Sequence, residues 1–238
     1  MLPKVFAVWW KDLERWGVEF NRYPMRAEKL LVSSKYATVP LEQVAWINPT
    51  ARRIAVYPDD PVSFVPMEAV SEESGGIVKH MEKPCREVAK GYTRFENGDV
   101  IWAKITPCMQ NGKCAIGKGL VNGLGFGSTE FHVVRTKDQR ELLPEFVWAL
   151  LRLDAVQKCA QRYFIGSAGQ QRVPVSFLSD LRIPLPPLDA QRRIVDMVAQ
   201  KRAEVAHERQ AATKLSAEVA QEVEEMILGK RAVKGASL

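Results

Sequence analysis

The C-terminal part of the chain contains the run Arg182-Ile-Pro-Leu-Pro-Pro-Leu188, followed by about 40 residues without proline or glycine until Gly229. The prolines restrict the backbone on the approach, and no helix breaker interrupts the residues beyond them, so the stretch predicts one long helix over residues 188–230. With a rise of 1.5 Å per residue, 40 residues span about 60 Å. Such a helix is too polar for a buried core, so we expect it to position other molecules.

Apolar residues recur along this helix at spacings of four and three, the repeat of a coiled-coil seam. Charged residues at Lys201, Glu208 and Glu222 interrupt the seam. A helix this polar needs packing for stability, which favours a partner helix from a second copy or another protein over folding back on its own domain. Asp189 can serve as the N-cap. The predicted dimerisation and subunit-docking residues are Gln191, Ile194, Val198, Val205, Ala212, Leu215, Val219 and Met226.

The chain has 238 residues, of which 46% are hydrophobic, enough for one domain with a core and an appendage. We predict a globular domain over residues 1–187, in which Trp9, Trp10 and Trp16 are packing anchors, then the helix and a flexible tail over 231–238. No apolar run approaches the roughly 20 residues of a bilayer span and no signal peptide is recognisable, so we expect a cytoplasmic protein without membrane association. The four cysteines form no CxxC pair, which favours reduced thiols over a disulfide or zinc site.

Short apolar runs separated by Asn-Gly pairs dominate residues 60–135, a pattern typical of strands joined by tight turns. The expected strands are Val62–Val65, Asp99–Ala103, Lys113–Ile116, Thr129–Val134 and Ile183–Leu185, and the expected short helices are Val39–Ile47, Pro144–Leu153, Asp154–Phe164 and Val175–Leu181. We interpret the glycine-rich segment Gly123–Gly127 as a turn, since a strand pattern rather than a phosphate-binding helix comes after it. The predicted fold class is α+β, with a β-rich domain, peripheral helices and one long C-terminal helix that forms a coiled coil.

The sequence lacks a recognisable catalytic constellation. The three histidines are scattered, and His132 lies in an alternating strand pattern that favours a packed or surface side chain over a general base. Neither a P-loop nor the Asn/Asp-Pro-Pro motif of a methyltransferase occurs. We therefore expect no catalytic residue, no metal site and no cofactor on this chain.

Three polar, glycine-containing segments stand out: Ala103–Lys113, Gly127–Phe131 and Gly166–Pro174. Lysines and small hydroxyls can contact phosphates, and Gln and Asn can read base edges, which suits the formal net charge of +6. On the residues alone, ordinary turn chemistry is the favoured explanation of these segments. The candidate DNA-binding residues are Lys104, Thr106, Gln110, Asn111, Lys113, Ser128, Thr129, Ser167, Gln170, Gln171 and Arg172.

Five segments in register, AKITPCMQNGK, NGLGFGSTEFHVVR, LPEFVWALLR, GSAGQQRVPVSFL and IPLPPLDAQRRIV, resemble the target-recognition repeat of type I restriction–modification specificity subunits. The resemblance covers about Phe64 to Val195. It implies a non-catalytic subunit that binds double-stranded DNA, with the long helix as the spacer between two target-recognition domains. It also implies docking of methyltransferase subunits, which carry the S-adenosylmethionine, and through them of nuclease (restriction) subunits.

Two features depart from the family pattern. The chain holds one such repeat where a full specificity subunit has two, so it resembles a half-subunit that acts as a homodimer on a bipartite target. The spacer entry reads Asp189-Ala190-Gln191, where the family usually carries Glu before the Gln. Base-reading residues cannot be transferred, and we expect them within Arg52–Arg94, where the basic residues are Lys79, His80, Lys83, Arg86 and Lys90, and in the 104–113 loop. The alternative function is a coiled-coil adaptor whose globular domain binds protein.

Overall fold

The computed structural model describes residues 27–50, 55–167 and 169–231. The expected anchors Trp9, Trp10 and Trp16 and nearly all of the expected tail lie outside these ranges. The chain divides into two units, Met1–Ile194 and Val195–Leu238, and the boundary falls within the long helix. None of the helices in the described ranges combines the length and apolar character that a membrane span requires.

The first unit contains ten strands and seven helices among its described residues, counting the start of the long helix. The strands are β1 (Thr38–Pro40), β2 (Ala45–Ile47), β3 (Pro61–Val65), β4 (Met81–Pro84), β5 (Thr93–Glu96), β6 (Val100–Ala103), β7 (Cys114–Ile116), β8 (Leu124–Gly127), β9 (Phe131–Thr136) and β10 (Arg182–Pro184). The helices are α1 (Ala27–Leu30), α2 (Leu41–Val44), α3 (Cys85–Val88), α4 (Pro144–Leu151), α5 (Asp154–Gln161), α6 (Val175–Asp180) and α7 (Leu188–Ile227), and 3-10 turns cover Met67–Ala69 and Val121–Gly123.

Two four-stranded sheets form the body of this unit. The first has the order β2-β9-β6-β7 and is antiparallel throughout, and the second has the order β4-β3-β8-β5 with one parallel pair, β3 and β8. Strands β1 and β10 form a separate antiparallel pair, with Val39 opposite Ile183. The α+β prediction is therefore confirmed, with a β-rich core, peripheral helices and a long C-terminal helix.

The main core lies between the two sheets. Phe95 of the second sheet packs in one cluster with Ile101 and Val133 of the first, and all three are buried. On the outer face of the second sheet, Phe64 and Phe126 pack with Val88 of α3. On the outer face of the first sheet, the Trp102 ring stacks on Phe177 of α6 with centroids 5.9 Å apart. Both sheets are thus covered on both faces, which explains why β6 and β9 are buried along their whole length.

Strand β8 corrects the prediction that Gly123–Gly127 is a turn. Only Gly123 adopts a turn conformation, with φ of 70°, and Leu124–Gly127 is a buried inner strand. A Cβ at Gly125 would lie 2.5 Å from the Phe95 ring, and one at Gly127 would lie 2.6 Å from the carbonyl oxygen of Val65. The glycines are needed for close approach within the sheet, a use of glycine in strands that turn signals do not reveal.

The other expected elements occur with shifted boundaries, and two local predictions are wrong. Within Val39–Ile47 only Leu41–Val44 is helical, because Thr38–Pro40 and Ala45–Ile47 pair with strands distant in sequence. Asp189 is not the N-cap of α7, since the helix begins at Leu188 and the Pro187 carbonyl accepts hydrogen bonds from the N–H groups of Ala190 and Gln191. Asp189 lies in the first turn, where its charge suits the helix dipole.

The second unit consists of α7 from Val195 onward and the described residues after it. Its side chains are mostly exposed, and large apolar residues share this exposure: Leu215 is 62% and Ile227 is 78% accessible. An exposed helix that carries such residues has an apolar surface available for pairing.

Candidate nucleic-acid interface

The three predicted polar segments meet where the chain crosses from β8 of the second sheet to β9 of the first. The N–H of Lys104, the residue after β6, donates to the Glu130 carbonyl at 2.9 Å, and the Lys104 carbonyl accepts from Val173 N–H at 2.9 Å. Thr106 N–H donates to the Gln171 carbonyl at 2.9 Å. These backbone bonds hold the start of the first segment between the other two.

A bidentate ion pair fixes the second and third segments to each other. Arg172 Nε lies 2.9 Å from Glu130 Oε2 and Arg172 Nη2 lies 2.7 Å from Oε1, while Nη1 donates to the Gln170 carbonyl at 2.9 Å. The hydrogen bond from Arg172 holds the pKa of the Glu130 carboxyl below its usual range. Arg172 was a candidate DNA contact, but its guanidinium is engaged in organising the loops. Contact of Arg172 with DNA remains a prediction.

A cavity of about 270 Å³ opens beside these segments. Two candidate residues, Lys104 and Thr129, line it. Thr93 and Arg94 of edge strand β5 also line it, as do Asn48 and Pro49 after edge strand β2. The sequence contains no pattern that groups these four residues with the two candidates. The described lining is Asn48, Pro49, Thr93, Arg94, Lys104, Thr129, Phe131 and Val133.

Asn48 and His132 fix one wall of this cavity. Asn48 adopts a φ of 49°, which Asn tolerates better than most residues, and exchanges hydrogen bonds with β9: its N–H donates to the Val133 carbonyl at 2.7 Å and its Oδ1 accepts from Val133 N–H at 2.9 Å. Asn48 Nδ2 lies 3.2 Å from His132 Nδ1, and His132 Nε2 lies 2.8 Å from the Val173 carbonyl oxygen.

His132 is a packed side chain, as the strand pattern predicted. It is 2% exposed, and its ring lies in a stacked arrangement with Trp102 at 6.4 Å. Burial lowers the pKa of His132, and the nearby charge of Lys104 lowers it further, against the Val173 hydrogen bond and Glu130. The neutral tautomer that donates to Val173 and accepts from Asn48 satisfies both neighbours.

The far end of the first segment lies against a different part of the domain. Lys113 Nζ donates to the carbonyls of Val70 and Met67 at 2.8 and 3.2 Å, at the end of the 3-10 turn Met67–Ala69. The next carbonyl upstream, that of Gly112, accepts from Arg152 Nη1 at 2.5 Å. The ammonium of Lys113 is thus engaged within the protein, which gives it a structural role that the sequence did not indicate.

The remaining candidates fall into two groups. Gln110, Asn111, Ser167 and Gln170 are exposed and do not line the cavity, so their contact with DNA stays a prediction. Ser128, Gln171 and Thr106 are half-buried, and Ser128 Oγ accepts from Glu130 N–H at 3.2 Å within its own turn. The Thr106 hydroxyl is buried and has no hydrogen-bond partner among the described residues.

The basic residues expected to read bases are dispersed. Lys79, His80 and Lys90 are exposed, whereas Lys83 Nζ lies 4.6 Å from the centre of the Phe64 ring and Arg86 is paired with Asp59. None of these five basic residues lines the cavity, while Arg94, at the end of the same interval, does. Arg94 lies on β5, which pairs with the glycine-rich β8, and no residue pattern in the sequence predicted this strand.

Of the predicted docking residues, Gln191 requires correction. It is 0% exposed, its Oε1 accepts from Leu143 N–H at 2.9 Å, and its Nε2 donates to the carbonyls of Glu141 at 2.7 Å and Pro186 at 2.9 Å. A side chain fully engaged within its own unit cannot contact a second subunit. The other candidates carry accessible surface: Val205, Ala212, Leu215 and Val219 are exposed, and Ile194, Val198 and Met226 are half-buried.

Comparison with known proteins agrees with this architecture. The specificity subunits of the type I restriction enzymes EcoEI and EcoAI of Escherichia coli are each 41% identical to this chain, over 158 and 160 residues. These matches cover 66% and 65% of this chain but 26% of each relative, so the chain spans about a quarter of the length of the curated relatives it matches.

Solved structures share the fold. The HsdS subunit from Thermoanaerobacter tengcongensis aligns over 87% of this chain and 52% of that chain, with a TM-score of 0.63 and 24% identity. A chain described under "Structural basis underlying complex assembly and conformational transition of the type I R-M system" aligns over the same shares, with a TM-score of 0.64 and 26% identity.

The family assignment rests on the sequence match. The domain described as "Type I restriction modification DNA specificity domain" matches residues 87–215, which include the cavity residues Arg94, Lys104 and Thr129. More than half of the residues are matched, and the resemblance predicted from the five segments is thereby confirmed. This chain belongs to the type I restriction–modification DNA specificity domain family.

Proposed function

We propose that this chain supplies DNA sequence specificity to a type I restriction–modification system. The globular unit binds double-stranded DNA, and the chain directs methyltransferase subunits, and any nuclease subunits of the system, to the bound sequence. The observation that carries this proposal is the family match over residues 87–215. The cavity with Arg94 and Lys104 in its lining supports it, because cations presented at a surface recess suit a polyanion.

In this proposal the chain positions other subunits and performs no chemistry itself. S-adenosylmethionine binds the methyltransferase partner. The environment of His132 supports this assignment, because both of its ring nitrogens are engaged, by Asn48 and by the Val173 carbonyl, and burial favours the neutral ring. A histidine held in this way is suited to packing rather than to proton transfer with a substrate.

We also propose that two copies pair through α7. One line of seam residues repeats every seven positions and is entirely apolar: Val198, Val205, Ala212, Val219 and Met226. Charged residues interrupt the second line, which contains Ile194 and Leu215. The exposure of Val205 (51%), Leu215 (62%) and Val219 (52%) supports a surface that another helix covers.

A two-fold dimer would present two copies of the DNA-binding unit, so the target would have two half-sites related by symmetry. The spacer between them would be set by the paired helices. We therefore expect a bipartite, palindromic recognition sequence. Pairing with a different half-subunit would instead give a target with two unrelated halves.

Methylome sequencing tests the proposed function. Deleting this gene should abolish methylation at one bipartite motif, and restoring the gene should recover it. An unchanged methylome would refute the DNA-specificity function and favour the adaptor alternative.

Two alanines of α7 provide a matched test of pairing. Ala212 lies on the apolar line of the seam and Ala217 lies on the opposite side of the helix, and both are exposed. Ala212→Glu should convert a dimer into a monomer of 26.8 kDa in sedimentation experiments and should fail to restore methylation, whereas Ala217→Glu should do neither. If the wild-type chain sediments as a single copy in complex with methyltransferase subunits, the dimer proposal is wrong.

A further inference from the structure

We propose that the cavity between β5, the residues after β2 and the Ser128–Glu130 turn holds one phosphodiester of the DNA backbone between Arg94 and Lys104. This inference rests on the proposed DNA-binding function and specifies what one site of the interface recognises. A contact with the DNA backbone would position the chain on DNA of any sequence, and this contact would lie beside the three polar segments.

The charge balance of the cavity favours an anion. Among the described residues, its lining contains two cations and no carboxylate. The nearby acidic group of Glu130 has a pKa that is lowered by Arg172 and also by Lys104. Because the bidentate pair with Arg172 occupies both Glu130 oxygens, that carboxylate is already matched by a cation outside the lining.

The polar groups of the cavity are predominantly donors. The guanidinium and the ammonium donate only, and hydrogen bonds from charged donors to phosphate are about twice as strong as neutral ones. The hydroxyls of Thr93 and Thr129 add two groups that can donate. The Asn48 amide, which could have paired with a base edge, is engaged by Val133 and His132. Adenine and cytosine edges also present donors, which the two cations cannot accept. Guanine N7 and O6 accept as phosphate oxygens do, so a loss of binding confined to the bipartite duplex would reveal a guanine contact instead.

The remaining walls suit the sugar next to the phosphate. Pro49, Phe131 and Val133 contribute apolar surface, and about 270 Å³ exceeds what the two phosphate oxygens need. The walls are also held in place. Asn48 is bonded to β9 through its backbone and side chain, and Lys104 is held by Glu130 and Val173 through its backbone. A preorganised recess lowers the cost of ordering the two long side chains on binding.

The test uses the full chain, the bipartite duplex identified from the methylome and an unrelated duplex of equal length. Binding is measured by fluorescence anisotropy over a series of salt concentrations. Lys104→Met and Arg94→Met should each weaken binding to both duplexes by the same factor, about tenfold or more, and should reduce the slope of log affinity against log salt by about 1. The matched controls are Lys158→Met and Arg140→Met, whose side chains are exposed and paired with Asp154 and Asp138 outside the cavity.

A change made in the DNA guards against misfolded variants. Single methylphosphonate substitutions neutralise one phosphate at a time while the wild-type protein is left intact. One position should weaken binding of the wild-type chain but should not weaken binding of Lys104→Met any further. That non-additivity identifies the phosphate held in the cavity.

The outcomes separate this inference from the proposed function. If the wild-type chain binds neither duplex, alone or with its methyltransferase partner, the DNA-binding function is wrong. If it binds and the two cavity variants behave like their controls, the phosphate site is wrong and the function stands. A loss confined to the bipartite duplex would also overturn the phosphate assignment, because it would show base recognition at this place.

Discussion

Replacement of Gln191 by alanine should strongly destabilise the first unit. The side chain is fully buried, and it makes three hydrogen bonds to backbone groups of Glu141, Leu143 and Pro186, at 2.7 to 2.9 Å. Each hydrogen bond contributes about 1 kcal/mol net, and a buried partner left unsatisfied costs a further fraction of its desolvation energy. The expected loss in unfolding free energy is therefore about 3 kcal/mol or more.

The same substitution at Gln200 is the control. Gln200 lies in the same helix but is exposed, and its amide contacts the Glu204 carboxylate at 3.3 Å. Gln200→Ala should change stability by less than about 0.5 kcal/mol. Urea unfolding monitored by tryptophan fluorescence measures both variants, and the slope with urea should stay constant so that the midpoints can be compared.

A third variant separates hydrogen bonding from volume. Gln191→Glu keeps the size and the acceptor for Leu143 but removes both donors, so it places oxygen against the carbonyls of Glu141 and Pro186. It should be at least as destabilising as the alanine variant near pH 7. If Gln191→Ala falls within about 0.5 kcal/mol of Gln200→Ala, the reasoning from these three bonds is refuted.

Two further predictions concern the interface. Burial lowers the pKa of His132 below its unfolded value of about 6.5, so its neutral form contributes stability that is complete above that pH and is lost as the pH falls below it. Urea midpoints measured between about pH 7.5 and 5 should therefore fall for the wild type and fall less steeply for His132→Asn. Equal slopes for the two proteins would contradict this prediction. Lys113→Met should lower the unfolding free energy by about 1–2 kcal/mol, since it removes a half-buried ammonium bonded to the carbonyls of Met67 and Val70, while Lys158→Met should change it little in the same urea assay. An unchanged midpoint for Lys113→Met would contradict the structural role of this lysine.

Much of the fold could be predicted because its signals are local. The prolines before Leu188 and the uninterrupted run to Gly229 place the long helix, which occurs at Leu188–Ile227. Asn-Gly pairs separate the strands, and Pro144 marks the start of α4. Each signal acts through the backbone conformation of a few neighbouring residues, so it can be read without knowledge of distant contacts.

The prediction of Gly123–Gly127 shows where such local signals fail. Glycine is compatible both with a turn and with a strand that a neighbouring side chain approaches closely. The choice depends on the Phe95 ring and the Val65 carbonyl, which lie 30 and 62 residues before the glycines they approach, Gly125 and Gly127. Only assembly of the second sheet brings these groups together.

The candidate site also has features that the sequence predicted and features that only the fold shows. The sequence segments indicated Lys104 and Lys113 as equivalent lysines of one loop, and nothing local distinguishes them. The fold places Lys104 at a cavity with Arg94 and binds Lys113 to carbonyls that lie 43 and 46 residues away in the chain.

The sequence alone determined the α+β class, the long helix with its apolar line and the family resemblance, because these depend on spacing and on residue types in order. Tertiary structure decided which polar side chains face a recess and which satisfy the protein's own backbone, as for Gln191 with Leu143. The reason is physical: a buried N–H or carbonyl must find a partner, and the partner is whichever side chain the packing of distant segments brings within hydrogen-bonding distance.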